Sequence, residues 1–367
     1  MPMTRVETIK LRHNYQRTAE VASLQYVNDG MCGIIRKRKG TGFSFTLESI
    51  GVRDTETLAR IRKLAIPPAW TRVWICSQPN GHIQATGYDV RGRKQYKYHE
   101  QWNTVRNQTK FHRLFEFGKE LPKLRERMER DIKNPRLSKD KVLATVVSLM
   151  ERTFIRVGNS EYEKLYGSYG LTTMKDGHVN IQGATIKFSF KGKKGIFHTI
   201  TLKNKKLAKI VKACRDIPGK ELFQYLNEDG VRCTIDSGMV NGYIQETTGK
   251  DYSAKDIRTW AGTLSMLSSF KSLGEAATQS DTKKNVIQAL DEVSAKLGNT
   301  RTICKKYYVH PEIIKLYEEN NLQKYLAQLD AVENSDDVSG LTQEEKVLMK
   351  ILKKIDIKAR APVSDSA

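Results

Sequence analysis

The spacing of apolar residues changes near residue 106, and this change constrains the fold more than any other feature of the sequence. Before it, segments such as FSFTLES at 43–49 alternate apolar and polar residues, the pattern of a half-buried strand. After it, apolar residues recur three and four positions apart, as on one face of a helix. The sequence therefore predicts an α+β protein, with a small β-rich N-terminal domain followed by a mainly helical domain that contains a small β-hairpin or sheet.

Four segments follow from this change of pattern. Residues 1–30 show little periodicity, and we expect them to form an irregular lead-in. Residues 31–105 are predicted to form the β-rich domain, and residues 106–330 the mainly helical domain. Residues 331–367 are expected to hold a C-terminal helix and a frayed tail.

Capping residues mark the helix ends. Ser138 can cap the helix that follows it, and Thr342 with Glu345 has the spacing of a capping box. Ser253 with Asp256 resembles a capping box, with Asp in the Glu/Gln position, that opens a helix over 254–270. A helix over 282–297 should end at the glycine that follows it. A further helix is predicted over 219–227.

The charge of the chain indicates its partner. Lys and Arg number 63 and Asp and Glu 41, which gives a net charge of +22. Because the excess is spread through sequence that looks folded, it favours a polyanion partner, and nucleic acid is the first candidate. The alternative is a basic surface that only keeps the protein in solution.

Several classes of protein lack support in the sequence. No apolar run approaches the ~18–20 residues that span a membrane, and the N-terminus lacks the apolar stretch of a secretory signal. We therefore expect a cytoplasmic protein without a membrane partner. The five cysteines include no close pair, the seven histidines show no metal-binding spacing, and no phosphate-binding loop is present. We expect no metal and no other cofactor.

Chemistry on a phosphate without a metal needs a nucleophile, cations around the phosphate oxygens and an acid for the leaving oxygen. Four local patterns could supply them: ERTFIRVGNSEY with Arg156, FKGKKG with Lys193 on a hairpin turn, SAKDIRTWAG with Arg258 in a helix over 254–270, and LGNTRTICKKYYVHP with Asn299 and Tyr308. Each alone is typical of an ordinary helix end, a solvated turn or simple packing.

Together and in this order, the four patterns resemble the active-site set of type IB DNA topoisomerases. The resemblance is nearest to the compact poxvirus-type enzymes and their bacterial relatives, and it covers roughly residues 30–320. It implies a catalytic core of the kind shared by tyrosine recombinases and type IB topoisomerases. It also implies an isomerase that relaxes supercoiled duplex DNA through a 3′-phosphotyrosyl intermediate, without ATP or metal.

The resemblance implies a role for each residue. Tyr308 would be the nucleophile, and Arg156 and Arg258 would stabilise the transition state. Lys193 would protonate the leaving 5′ oxygen. Asn299 stands where the poxvirus enzymes carry His, and it can donate a hydrogen bond but not a charge. Tyr308 lies nine residues after Asn299, the spacing that the family requires of its nucleophile, whereas the neighbouring tyrosine does not.

A second region combines basic and aromatic residues in the sequence DVRGRKQYKYHEQW. On a strand its two tyrosines would share one face. Basic groups can neutralise phosphates while tyrosines touch sugars or bases, although an ordinary half-buried strand would also fit. The matching family segment contacts DNA in the major groove. The candidate DNA contacts are Arg93, Lys94, Gln95, Tyr96, Tyr98 and, in the helical domain, Lys255.

Two other functions remain possible from the sequence. A tyrosine recombinase or integrase shares the nucleophile, but these enzymes usually carry H-x-x-R where this chain has Lys255 and Arg258, and they favour His over Asn299. A non-enzymatic basic DNA-binding protein would explain the charge but not the ordered set. Since one nucleophile suffices, we expect a monomer that acts on duplex DNA.

Overall fold

A computed structural model of the chain describes residues 15–90, 92–329 and 340–358. These residues form two compact units, one that extends to His112 and one over Arg113–Lys358. We call them the N-terminal unit and the helical unit. In the part of the chain that is described, no helix combines the length and the apolar character needed to cross a membrane.

The N-terminal unit is built on one six-stranded antiparallel sheet in the order β3-β2-β1-β4-β5-β6. Its strands are β1 (Gly33–Lys39), β2 (Gly42–Leu47), β3 (Ile50–Gly51), β4 (Thr71–Cys76), β5 (Ile83–Tyr88) and β6 (Lys94–Tyr98). Its helices are α1 (Tyr15–Val21), α2 (Thr55–Lys63) and the start of α3 (Glu100–Lys133).

Local chemistry explains how this sheet is assembled. Strands β1 and β2 pair in register up to Lys39 and Gly42, and Gly40 turns the chain between them with a φ of 57°. Asp54 caps α2 through a 2.7 Å hydrogen bond from the Thr57 N–H. Helix α2 then buries Ile61 against the apolar face of the sheet. The predicted β-rich character of this region is confirmed.

Two details differ from the sequence prediction. Helix α1 lies within residues 1–30, which were expected to be irregular, because Ala19 and Leu24 pack against Trp102. No local pattern reveals a contact across some eighty residues of sequence. Helix α3 begins at Glu100, before the predicted change at residue 106, and the division between the two units falls inside it.

The helical unit contains ten further helices and five short strands among its described residues. The helices are α4 (Lys139–Thr153), α5 (Ser160–Tyr166), α6 (Lys205–Arg215), α7 (Ser237–Thr248), α8 (Ala254–Leu273), α9 (Gln279–Leu297), α10 (Arg301–Tyr307), α11 (Pro311–Glu318), α12 (Gln323–Leu326) and α13 (Gln343–Lys358). The strands β7 (Val179–Gln182), β8 (Thr185–Lys191) and β9 (Phe197–Lys203) form one antiparallel sheet, and β10 (Gln224–Leu226) pairs with β11 (Arg232–Thr234).

Helix α4 forms the centre of this unit. Ser138 caps it as predicted, accepting a hydrogen bond from the Lys141 N–H at 3.4 Å, and Val142 to Met150 are buried in succession. The helix predicted over 219–227 is wrong, because Gln224–Leu226 is strand β10. Leu222 and Phe223 are buried just before this strand and outside any helix, so their apolar pair reflects packing and not helical periodicity.

Helix α13 is joined to the unit by a buried ion pair. Glu345 accepts hydrogen bonds from the Thr342 N–H at 2.9 Å, from Arg125 at 2.7 Å and from the Trp260 indole at 2.9 Å. Arg125 also pairs with Glu151 at 3.1 Å. The predicted capping box of Thr342 and Glu345 is therefore present, and the same carboxylate also ties α13 to helices α3 and α8.

We expect Glu345→Gln to lower the free energy of unfolding by about 3 kcal/mol at pH 7, because it leaves a buried guanidinium with one carboxylate fewer. Burial raises the pKa of Glu345, but the Arg125 contacts outweigh it and hold that pKa below its ordinary value. The stabilisation by Glu345 is thus complete above the pKa of about 4.3 that this carboxyl has in the unfolded chain. It is lost as pH falls through the lower pKa of the folded protein.

Urea unfolding at pH 7 and at pH 3 would measure this loss. Glu344→Gln is the matched control, since Glu344 is adjacent on α13 but only half-buried. An equal effect of the two substitutions at pH 7 would contradict the stabilising role of the ion pair.

Candidate active site

Arg258 is a buried arginine without a carboxylate partner. Only 4 % of its surface is exposed, yet its Nη1 donates to the carbonyl of Phe154 and its Nη2 to that of Leu297 at 2.7 Å. Its Nε is buried without a hydrogen-bond partner. Burial lowers the pKa of Arg258, and the neighbouring Tyr308 opposes that shift.

The start of helix α8 places this arginine. Asp256 accepts hydrogen bonds from the N–H and the hydroxyl of Ser253, each at 2.9 Å, so the predicted capping box is present. The helix runs over Ala254–Leu273, close to the predicted span of 254–270. Arg258 therefore lies one turn inside the helix and faces the core, whereas Lys255 is exposed.

Arg156 joins the site from the end of helix α4. Phe154 ends that helix in the left-handed region with a φ of 57°, which turns the chain so that Arg156 reaches the end of α9. Its Nη2 donates to the carbonyl of Gly298 at 2.7 Å and to Oδ1 of Asn299 at 2.6 Å. Burial, and then the charge of Arg258, lower the pKa of Arg156 to about 10.

Asn299 is held at a sharp turn. Helix α9 ends at Leu297, and Gly298 takes the left-handed conformation with a φ of 59°, which confirms the predicted helix end. The Asn299 N–H bonds to the carbonyl of Ser294 at 3.0 Å, which fixes the turn. Its side-chain oxygen is occupied by Arg156, and its amide nitrogen lies 3.4 Å from the Leu297 carbonyl.

Tyr308 lies beside the two arginines. It follows helix α10, which Thr300 caps through the Ile303 N–H at 3.4 Å. The guanidinium carbon of Arg258 lies 5.3 Å from the centroid of the Tyr308 ring. The ring centroid of Tyr307, by contrast, lies 5.5 Å from the ammonium of its neighbour Lys306. The structure thus brings Tyr308 to the arginines, together with Asn299.

Lys193 is not part of this cluster. It lies on the exposed tip between strands β8 and β9, where Lys194 has a φ of 64°. Its ammonium lies 5.7 Å from the centroid of the Tyr162 ring. The hairpin is therefore present as predicted, but the side chain of Lys193 points to helix α5.

The remaining candidate residues belong to the N-terminal unit and are organised by two carboxylates. Tyr96 and Tyr98 share a face of β6, as predicted, with their rings stacked at 5.8 Å. Asp29 forms an ion pair with the ammonium of Lys94 at 2.5 Å. Asp89 accepts hydrogen bonds from Arg93 at 2.6 Å and from Gln95 at 3.0 Å.

Sequence reasoning missed His198. It lies on the inward face of β9, and burial followed by the charges of Arg156 and Arg258 lowers the pKa of its imidazole. The alternation of IFHTITL already placed it on the face that carries Ile200, so the pattern contained a signal for an inward-facing histidine. What the pattern lacked was the position of the arginines.

The arginine pair of Arg156 and Arg258 defines what the site can bind. In the described part of the chain, neither guanidinium forms an ion pair, and both donate only to neutral oxygens. Buried charges in proteins are normally paired, so an uncompensated pair fits an anionic ligand. Guanidinium groups match phosphate oxygens, and Tyr308 places a potential nucleophile beside them. Among the described residues, no group of His, Cys, Asp or Glu is arranged to hold a metal ion.

Gly262 of helix α8 makes room for Tyr308, which yields a test of the packing. A Cβ at Gly262 would lie 2.6 Å from the Tyr308 carbonyl oxygen. We expect Gly262→Ala to destabilise the protein by about 1–3 kcal/mol, as overpacked cores do. Gly242→Ala in helix α7 is the control, because a Cβ there meets nothing within 4 Å. It should stabilise by about 0.5–1 kcal/mol, and thermal unfolding would compare the two. Equal melting temperatures for the two variants would show that the site tolerates a displaced Tyr308.

Two family models match the chain. One, described as "Eukaryotic DNA topoisomerase I, catalytic core", matches residues 99–335. The other, described as "Bacterial DNA topoisomerase IB, N-terminal domain", matches residues 42–89. The first match contains all the residues that converge on the arginine pair, and the second lies within the sheet of the N-terminal unit.

The chain is also similar to viral proteins. It is 34 % identical over 301 residues to the DNA topoisomerase 1B of Acanthamoeba polyphaga mimivirus, covering 79 % of this chain and 89 % of the relative. It is 25 % identical over 243 residues to the DNA topoisomerase I of Monkeypox virus and to the DNA topoisomerase 1B of Vaccinia virus strain Copenhagen, covering 64 % of this chain and 72 % of each relative. With a catalytic-core match over most of its length and these relatives, the chain belongs to the type IB DNA topoisomerases.

Proposed function

We propose that this chain relaxes supercoiled duplex DNA by cutting one strand with Tyr308 and resealing it. The phenolic oxygen of Tyr308 attacks the scissile phosphorus while the bond from phosphorus to the 5′ oxygen breaks. The enzyme then carries the 3′ end as a phosphotyrosine, and the 5′ hydroxyl is free. The observation that carries the proposal is the position of Tyr308 beside two arginines, one buried and one half-buried, that have no carboxylate partner.

The arginine pair would bind the non-bridging oxygens of the scissile phosphate. Charge on these oxygens increases in the pentacoordinate transition state, so fixed donors at that place stabilise it more than the ground state. The buried Nε–H of Arg258 is one donor that the protein itself leaves unused. Backbone carbonyls hold both guanidiniums in place before the phosphate arrives.

Asn299 and Lys193 would have separate tasks. Asn299 accepts from Arg156 at 2.6 Å, so it orients that guanidinium, and its amide can donate a hydrogen bond to the phosphate. Lys193 would protonate the leaving 5′ oxygen. Because its ammonium rests on Tyr162 at the exposed hairpin tip, DNA binding must draw the long side chain away from that ring.

The energetics of this exchange require no nucleotide. One phosphodiester replaces another of similar free energy, so cleavage is reversible and resealing follows the same path backwards. While the strand is open, the free 5′ end can rotate about the intact strand. Torsion stored in the DNA drives that rotation, and supercoils of either sign can relax.

The exposed edge of the N-terminal unit would bind the duplex through strand β6. Tyr96 and Tyr98 present a stacked pair of half-exposed rings, and Lys94 lies beside them with its ammonium 5.7 Å from the Tyr96 ring. In the free protein, Asp29 holds that ammonium. A DNA phosphate would therefore compete with a carboxylate for the same cation. Lys255, exposed at the start of helix α8, would add a phosphate contact near the active site.

Tyr308→Phe should abolish plasmid relaxation and the covalent protein–DNA adduct that appears on denaturation, because it removes only the attacking oxygen. We expect a loss of at least about 10³-fold in the rate of cleavage, with DNA affinity unchanged. Relaxation of a supercoiled circle and gel analysis of the trapped adduct measure both quantities. The circle should need no paired target sites, which a recombinase would require.

Tyr307→Phe is the matched control for this experiment. It removes the same atom one residue away, from a ring that lies by Lys306 and not by Arg258. This variant should relax DNA at close to the normal rate. An adduct that survives in Tyr308→Phe but disappears in Tyr307→Phe would reassign the nucleophile.

Asp29→Asn should increase the affinity for duplex DNA. The change releases Lys94 and removes a negative charge, so we expect binding about three- to tenfold tighter at low salt. If Lys94 gains a phosphate, the slope of log K against log salt should steepen by about 0.9. Fluorescence anisotropy of a labelled duplex over a series of salt concentrations gives both numbers.

Glu56→Gln controls for net charge in the same unit. Glu56 is exposed on helix α2, outside strand β6, and its neutralisation changes the net charge by the same amount. For this variant, the slope of log K against log salt should be the same as in the parent protein. Identical behaviour of the two variants would argue against Lys94 as a phosphate contact.

A further inference from the structure

The imidazole of His198 lies beside two glycines that adjoin residues of the proposed mechanism. Gly192 precedes Lys193, and a Cβ at Gly192 would lie 2.6 Å from both Cδ2 and Nε2 of His198. Gly298 precedes Asn299, and a Cβ at Gly298 would lie 2.3 Å from Cε1 of the same ring. A single ring therefore packs against the base of the hairpin on one side and against the Asn299 turn on the other.

The other surroundings of the ring hold it in that position. His198 pairs with Phe190 in the register of β8 and β9, and the two rings stack with centroids 5.2 Å apart. Arg156 and Leu297 line the same small cavity as the imidazole. No hydrogen bond to the imidazole is formed within the described part of the chain, so shape and packing fix it there.

The charge state of the ring suits this packing role. Burial lowers the pKa of His198, and the charges of Arg156 and Arg258 lower it further. At neutral pH the imidazole is therefore uncharged and can lie close to the arginine pair without repelling it. A neutral ring adds no charge to the phosphate site.

We propose that His198 is a positioning residue that aligns the hairpin of Lys193 with the turn of Asn299, and so with the arginine pair. Lys193 lies at an exposed tip, and the proposed acid can act only if the base of its hairpin is fixed relative to the phosphate. This inference depends on the proposed function, because it takes Lys193 to be the acid for the leaving oxygen.

A sulfur-substituted substrate provides the test. When sulfur replaces the bridging 5′ oxygen of the scissile phosphate, the leaving group is a thiolate. A thiol has a pKa of about 8.5, whereas that of water is about 15.7, so the thiolate departs without receiving a proton. A variant that has lost only the delivery of the proton should then recover on the sulfur substrate.

We expect His198→Ala to slow single-turnover cleavage of the ordinary substrate by about 10- to 100-fold, part of the ~10²–10⁴-fold that an acid contributes. On the sulfur substrate, both His198→Ala and Lys193→Ala should cleave within a few-fold of the parent rate. Arg258→Lys should stay slow on both substrates, because it weakens the binding of the phosphate oxygens. DNA affinity should be unchanged in His198→Ala.

Combining the substitutions tests whether the two residues act together. If His198 works through Lys193, the double variant should be no slower on the ordinary substrate than Lys193→Ala alone. If the double variant is instead slowed by the product of the two separate effects on the cleavage rate, the inference is overturned. Thr199→Ala is the control, since Thr199 is the next residue on β9 and is exposed on the opposite face.

Each remaining outcome separates this inference from the proposed function. If Lys193→Ala recovers on the sulfur substrate and His198→Ala does not, His198 does not act through the acid, and the role of Lys193 stands. If Lys193→Ala itself fails to recover, the assignment of the acid is wrong. If His198→Ala fails to fold, His198→Gln takes its place, because it keeps a planar polar group in the same space. Its recovery of cleavage on the sulfur substrate is measured in the same way.

Discussion

The helical unit depends on one constraint: two guanidiniums, that of Arg258 buried and that of Arg156 half-buried, lack a carboxylate partner. Transfer of such a charge from water costs several kcal/mol unless the protein compensates it. Arg258 and Arg156 receive that compensation from the carbonyl oxygens of Phe154, Leu297 and Gly298. A carbonyl offers a partial charge only, so the site keeps a positive potential that a carboxylate would have cancelled.

The position of these carbonyls explains why this arrangement is stable. Phe154 follows the last turn of helix α4, and Leu297 and Gly298 lie at the end of helix α9. Carbonyl groups at the C-terminal end of a helix have no partner within the helix and carry the negative end of its dipole. The carbonyls at two helix ends therefore accept hydrogen bonds from the arginines. In return, the guanidiniums supply the partners that these carbonyls lack within their helices. The left-handed residues at both ends are part of the same solution, because they stop each helix where its carbonyls meet a guanidinium.

Local chemistry made much of the fold predictable. The caps at Ser138 and Ser253, the capping box at Thr342 and the glycine after α9 are short-range signals, and the structure has each of them. The prediction over 219–227 failed because Leu222 and Phe223 are buried by contacts with distant parts of the chain. Apolar residues in a short run cannot distinguish a helix from a buried extended segment.

The site was predictable as a set of residues but not as a geometry. The order of the motifs pointed to Arg156, Arg258, Asn299 and Tyr308, and the structure brings these four together. It does not bring the ammonium of Lys193 to them, because Tyr162 offers a nearby ring. His198 escaped notice because its neighbours belong to other elements. The carboxylates that hold the basic residues of β6 were equally invisible, since pairing depends on where side chains meet in space.

Helix α13 lies beyond the segment that the catalytic-core family model matches, yet it packs into the same unit. The match to the topoisomerase catalytic core stops at residue 335, before α13 begins. Yet Glu345 reaches back to Trp260, two residues beyond Arg258 on the same helix. A chain that ended where this match ends would leave the Trp260 indole and Arg125 without the Glu345 carboxylate. Helix α13 is thus an integral part of the helical unit, because it supplies a buried carboxylate to two residues of the matched segment.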